Sequence, residues 1–269
     1  RVADEKLREL AKTEASCVGD DRIFRNIVVT EKSKERVEIL EKIKQLEKEG
    51  KFDVDAENDP PTIELTPENV DYLKTKRKNR WKNKFANKLG EKFLEAIIKD
   101  NKLIIKDVIG LENLSNIKSG AILTCNHFNP FDSFTIEEVF SLSGQREKKK
   151  LYKVIREGNY TNFSGFYGFL FRNADTLPLS SNTRTMIKFM QASDIILRRG
   201  DFILIYPEQS LWWNYEKPKP LKNGAYKLAA RSNVPVIPIF ITMTDSDIIG
   251  EDGFPIKEYY VHIEEPIYP

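Results

Sequence analysis

The sequence predicts an α/β fold preceded by a helical N-terminal extension. Three observations carry this reading. From residue 101 onward, short apolar runs of strand character alternate with segments of helical periodicity, the pattern of a sheet covered by helices. Upstream of that point the chain is charged, and its apolar residues recur at helical spacing. At 269 residues, with 40% apolar and 31% charged content, the chain is long enough to bury a full core.

The extension spans residues 1–73. Within it, Val37, Leu40, Ile43 and Leu46 sit three residues apart between Lys32 and Glu49, which suits an amphipathic helix. Asp59-Pro60-Pro61 breaks the pattern and marks a linker. Thr66 and Pro67 then form a helix-start signal, with Thr66 as N-cap. Residues 74–100 form a second part. Nine of residues 74–92 are basic and only Glu91 is acidic, while Trp81, Phe85, Leu89, Phe93 and Ile97 recur every fourth position. A helix of this kind packs its apolar stripe on the core, lies on an anionic membrane surface or, least in keeping with the rest of the chain, meets nucleic acid.

Residues 101–269 make the α/β domain. Strands are expected over Lys102–Val108, Ala121–Cys125, Leu151–Ile155, Phe202–Tyr206, Val234–Ile241 and Tyr259–Ile263. Helices are expected over Phe131–Leu142, Asn182–Arg199 and Gly224–Arg231, the second stopped by Gly200.

Several classes are excluded or disfavoured. The net charge of +2 argues against a general nucleic-acid binder. Cys17 and Cys125 are far apart and form no zinc or redox pattern, so a reducing, cytoplasmic compartment is the simpler reading. No apolar run approaches the roughly 18–20 residues that span a bilayer, and no signal peptide is visible. A chain that starts at Arg1 reads as a piece of a longer protein. His262 lies beside Glu264 and Glu265 without metal-ligand spacing, and no glycine-rich nucleotide loop is present, so neither a metal nor a nucleotide cofactor is expected.

The chemistry concentrates in Asn126-His127-Phe128-Asn129-Pro130-Phe131-Asp132. His127, one of two histidines, lies where a strand turns into a helix, with Asn129 as expected N-cap and Pro130 in the first turn. Asp132 in that first turn is placed to accept the Nδ1 proton and leave Nε2 free as a base. The helix N-terminus offers backbone N–H groups for a phosphate or oxyanion. Taken alone, such a pair is more often an ordinary turn-stabilising contact than a catalytic one. Cys125, two residues before His127, opens the alternative of a Cys–His thioesterase.

The segment resembles the NHxxxxD motif of the glycerolipid acyltransferases, the group of the 1-acylglycerol-3-phosphate acyltransferases. Phe202-Ile203-Leu204-Ile205-Tyr206-Pro207-Glu208-Gln209-Ser210 is similar to that family's strand followed by FPEGTR. Lys222-Asn223-Gly224-Ala225 and Val234-Pro235-Val236-Ile237-Pro238 resemble the blocks that follow. The resemblance covers roughly residues 101–269. It implies a mixed sheet flanked by helices and transfer of a fatty acyl group from acyl-CoA or acyl-carrier protein to a hydroxyl. It implies His127 as base, Asp132 as its orienting acid, and Asn126, Pro207, Glu208, Gln209, Ser210 and Lys222 around the substrates. The implied partners are an acyl thioester, a lipid acceptor and the cytoplasmic face of a membrane, touched peripherally.

The sequence also departs from the family. Tyr206 replaces Phe, Gln209 replaces Gly, Ser210 replaces Thr, and Leu211 and Leu179 stand where arginines are expected. Arginine is the usual partner of a phosphate monoester, so its loss points to a glycolipid or other acceptor alcohol. Lys217, Lys219 and Lys222 are either looser phosphate ligands or solvated loop charge. Trp212 and Trp213 either stack on a sugar or sit in lipid headgroups, or else one packs inward and the other covers a loop. The altered block also admits a non-catalytic lipid- or protein-binding module on the same scaffold.

Overall fold

The computed structural model describes residues 31–57 and 62–269. The expected linker at Asp59–Pro61 lies outside these, as does Cys17. In chain order the elements are helices α1 (Glu31–Lys48) and α2 (Arg77–Lys99), strand β1 (Ile104–Ile109), α3 (Leu111–Ser115), β2 (Ala121–Thr124), α4 (Asp132–Leu142) and β3 (Leu151–Ile155). Then follow α5 (Glu157–Thr161), α6 (Gly165–Asn173), β4 (Thr176–Pro178), α7 (Thr183–Arg198), β5 (Phe202–Ile205), α8 (Gly224–Ser232), β6 (Val236–Ile249) and β7 (Pro255–Ile263).

The described residues form one seven-stranded mixed sheet in the order β1-β7-β6-β2-β5-β3-β4. β2 pairs in parallel with both β5 and β6, and β5 with β3. Only β6 and β7 run antiparallel. β2 and β5 are apolar at nearly every position because helices cover both faces of the sheet. One layer of core packs Leu123, Phe202 and Ile237 against Ile136, Val139 and Phe140 of α4. The opposite layer packs Ile122, Ile203 and Val236 against Phe189 and Ile196 of α7 and Leu228 of α8. Gly120 admits the start of β2 against the end of α7, where a Cβ would collide with the Leu197 carbonyl.

Several sequence expectations change. The helix-start signal at Thr66 yields a single 3-10 turn, Pro67–Asn69, without a side-chain cap. Residues 62–73 otherwise run without regular structure and bury Leu65, Val70 and Tyr72 against the α7 layer, so the described helical part of the extension is α1. The four-residue stripe of α2 splits. Each step of four residues advances about 400° around a helix of 3.6 residues per turn, so the stripe drifts about 40° per step. Ile97 is therefore buried, whereas Trp81 is 70% and Phe85 51% exposed. β6 runs eight residues beyond its expected end, pairing with β7 as an antiparallel ribbon.

α1 is held by its apolar face. Ile39, Ile43 and Leu46 pack with Ala56 against Trp212 and Trp213. Arg36 stacks over the Trp213 ring at 4.6 Å, and Ser33 donates to the Asp252 carbonyl.

Candidate active site

The carboxyl ends of β2 and β5, adjacent parallel strands at the centre of the sheet, open onto one site, the usual location of function in parallel α/β sheets. β2 ends at Thr124, and the chain turns through 125–131 into α4. The turn begins with a clamp. Asn126 is buried, donates Nδ2 to the Ile241 carbonyl at 3.0 Å and accepts the Ile241 N–H at 2.9 Å. Asn126 thereby prolongs the β2–β6 ladder by a side chain.

His127 follows, with its side chain 25% exposed. Its Nδ1 lies 2.6 Å from Asp132 Oδ2. Asp132 is 1% exposed, and the same oxygen accepts the N–H groups of Phe128 at 3.2 Å and Asn129 at 3.5 Å. α4 starts at Asp132, two residues later than the Asn129 N-cap predicts. Asn129 instead forms a local turn, its Oδ1 accepting the Phe131 N–H at 2.9 Å. The N–H groups of Phe128, Asn129, Phe131 and Asp132 are thus all engaged within the turn. The turn is built to hold the Asp132 carboxylate rather than an outside anion.

Tyr206 completes the arrangement in a way the sequence did not announce. Its ring lies flat on the His127 imidazole, with centroids 4.1 Å apart and an interplanar angle of 20°. Its hydroxyl donates to Asp132 Oδ1 at 2.7 Å. Burial, and the Asp132 charge next, push the Tyr206 phenol well above its usual range, so it is held as a donor. The two Asp132 oxygens are divided between histidine and tyrosine. Among the described residues, no hydrogen bond engages His127 Nε2.

Beneath the turn lies a buried ion pair. Glu208 is 3% and Lys219 1% exposed at the side chain, with Nζ and Oε2 3.2 Å apart. Glu208 Oε2 accepts the His127 N–H at 3.1 Å, and Oε1 accepts the Lys219 N–H at 3.3 Å. Lys219 Nζ donates to the Ser210 carbonyl at 2.6 Å and to its Oγ at 2.9 Å. Burial pushes the Lys219 ammonium below its usual range, against the pull of Glu208. The expected loop lysines thus separate. Lys219 is internal, whereas Lys217 pairs with Glu47 and Lys222 with Asp53.

The other expected substrate-side residues are also located. Pro207 is buried, and its carbonyl accepts the Lys222 N–H. Gln209 is exposed and has φ 65°, the left-handed conformation for which the family's glycine is suited. Ser210 is buried and donates to the Phe52 carbonyl. Both tryptophans pack inward, Trp212 at 0% and Trp213 at 5% exposure, which removes the sugar-stacking alternative. Trp212 donates Nε1 to the Val54 carbonyl at 2.7 Å. The backbone N–H groups of Trp212 and Asn214 bond the carbonyls of His127 and Phe128, tying the two loops together. Cys125 is buried, and burial raises its thiol well above the usual range, the opposite of an activated nucleophile. Arg172 donates to the Tyr160 and Phe163 carbonyls. Arg156, at the end of β3, pairs with Asp55, which also accepts the Leu211 N–H.

Residues 106–242, just over half of the chain, match the family described as Acyltransferase. The chain belongs to the glycerolipid acyltransferase family. No curated protein matches it. The family region of this acyltransferase runs from β1 into β6 and contains the His127 turn, Tyr206 and the Glu208–Lys219 pair. α1 and residues 51–57, which contact the loop after Glu208, lie outside that region.

Proposed function

We propose that this acyltransferase moves a fatty acyl group from acyl-CoA or acyl-carrier protein to a hydroxyl of a lysophospholipid or related glycolipid. The observation that carries the reading is the imidazole held at Nδ1 by a buried carboxylate, with Nε2 left for a substrate. Nε2 takes the proton of the acceptor hydroxyl as its oxygen attacks the thioester carbonyl carbon. The carbon–sulfur bond breaks, and the imidazolium returns the proton to the departing thiolate. Asp132 keeps the imidazole in the required tautomer and balances the imidazolium charge.

A lipid substrate agrees with the surface beside the site. Phe93 of α2 packs on Phe131 of the catalytic turn, on Phe134 of α4 and on Phe166 and Tyr167 of α6. Farther along α2, exposed Trp81 and Phe85 stack on each other among basic residues. This face docks peripherally on an anionic membrane. Among the described residues, no helix is long and apolar enough to cross a membrane.

The test is transfer from palmitoyl-CoA to a panel of lysophosphatidate, lysophosphatidylglycerol, monoacylglycerol and a lysoglycolipid. His127→Ala is expected to lose about 10²–10⁴ of the rate, the usual contribution of a general base. Wild-type turnover that survives this substitution would refute the assignment. Flotation with anionic liposomes tests docking. Trp81→Ser with Phe85→Ser should release the protein, and unchanged flotation would remove α2 as the anchor.

A further inference from the structure

The sequence marks Tyr206 as a mild replacement of the family's phenylalanine, but the added oxygen has a specific partner. The hydroxyl reaches Asp132 Oδ1 at 2.7 Å while His127 occupies Oδ2 at 2.6 Å. The ring stacks nearly parallel to the imidazole, with centroids 4.1 Å apart. One side chain therefore touches both members of the pair, restricting the imidazole by its face and the carboxylate by its unused oxygen. Tyr206 leads from β5 into the loop that carries Glu208, whose Oε2 accepts the His127 N–H. The position of the base is thus set from one strand end through three contacts.

We propose that Tyr206 is a positioning residue of this enzyme, forming a His127–Asp132–Tyr206 relay that orients the base and moderates the pull of Asp132 on it. The inference rests on His127 acting as general base. Its physical basis is the sharing of one carboxylate. A donor on Oδ1 offsets part of the negative charge that His127 meets. Removing that donor leaves a more strongly attracting carboxylate and favours the imidazolium. The charged and titratable groups facing this pair are Cys125 before the turn, Tyr206 and Glu208 from β5 and its loop, Lys219 beneath and Tyr259 from β7. Cys125, Lys219 and Tyr259 make no hydrogen bond to Asp132 among the described residues. Of these groups, only Tyr206 both bonds the carboxylate and stacks on the imidazole.

Tyr206→Phe keeps the stacked ring and removes only the hydroxyl; Tyr206→Leu removes both. With palmitoyl-CoA and the best acceptor of the panel, Tyr206→Phe is expected to lower kcat roughly ten-fold, in the range for losing a hydrogen bond to a charged group, with KM unchanged. The acid limb of its pH–rate profile should move upward. Tyr206→Leu should lose more. An activity-independent reading comes from NMR of the protein labelled with ¹⁵N in its two histidines, His262→Gln assigning the signals. Tyr206→Phe should shift the His127 Nδ1 resonance in the wild-type background and leave it in place in an Asp132→Asn background, showing that the effect passes through Asp132. A wild-type profile and an unmoved resonance in Tyr206→Phe would overturn the proposal. Full activity of His127→Ala, with the resonance still responding to Tyr206, would instead overturn the general-base reading while leaving the contact intact.

Discussion

Lys219→Met tests whether the buried pair beneath the active turn is a structural support. The substitution keeps the length of the side chain and removes the charge. It leaves Glu208, 3% exposed, with the His127 N–H at 3.1 Å and the residue 219 N–H at 3.3 Å as remaining donors. The Ser210 carbonyl also loses its 2.6 Å donor. Both charges are almost fully shielded from water, so the cost is that of stranding one member of a buried pair, about 3–5 kcal/mol. A domain is stable by only about 5–15 kcal/mol, so this is a large fraction of the total. Glu208→Gln combined with Lys219→Met removes both charges, and the single amide oxygen still accepts one of the two N–H groups that Glu208 bonds through separate oxygens. This pair should recover to within about 1–2 kcal/mol of wild type. Urea unfolding followed by tryptophan fluorescence measures both, with Trp212 directly under the Lys219 ammonium at 5.1 Å. A single-variant cost below about 1 kcal/mol, or a double variant no better than Lys219→Met, would refute the argument.

Three further outcomes are expected. Trp212→Ala empties a fully buried site between α1 and residues 52–54, and chemical unfolding should show a loss of about 3–5 kcal/mol. Burial, followed by the Asp175 charge, raises the Tyr152 phenol to about 12. Its folded-state value exceeds the unfolded one, so its contribution is complete below about pH 10 and is lost as pH rises through 12, on the order of 3 kcal/mol. Stability should therefore fall across that window, and Tyr152→Phe should flatten the fall; an unchanged slope would count against it. Cys125→Ala should retain acyl transfer within about three-fold, since a buried thiol with a raised pKa is no nucleophile. Loss of activity in a folded Cys125→Ala protein would revive the thiol mechanism.

Much of the α/β domain was legible because strands β2 and β5 are continuous apolar runs and α7 has a strong helical period with a glycine stop. α3, α5, α6 and β4 were not. They are five, five, nine and three residues long, too short for a period to emerge, and β4 ends in a proline. At the site, His127 and Asp132 could be paired from their spacing because both lie in one turn. The roles of Tyr206 and Lys219 could not. Tyr206 meets Asp132 across 74 positions, and Lys219 looks like its neighbours Lys217 and Lys222 until the fold buries it alone. The prolines on either side of Lys219 were the only local hint that its backbone is fixed.

The attachment of α1 and residues 51–57 to the 210–215 loop has an evolutionary consequence. The Trp212 indole, the Ser210 hydroxyl and the Leu211 amide all find partners between Phe52 and Asp55, upstream of the family region. Substitutions in the altered block and in this upstream stretch are therefore expected to be inherited together. A chimera joining residues 106–242 to a relative's N-terminal half would leave these groups and the Trp212 surface without matching contacts. The segment recognisable by descent is smaller than the unit that must be transplanted for the loop to keep its shape.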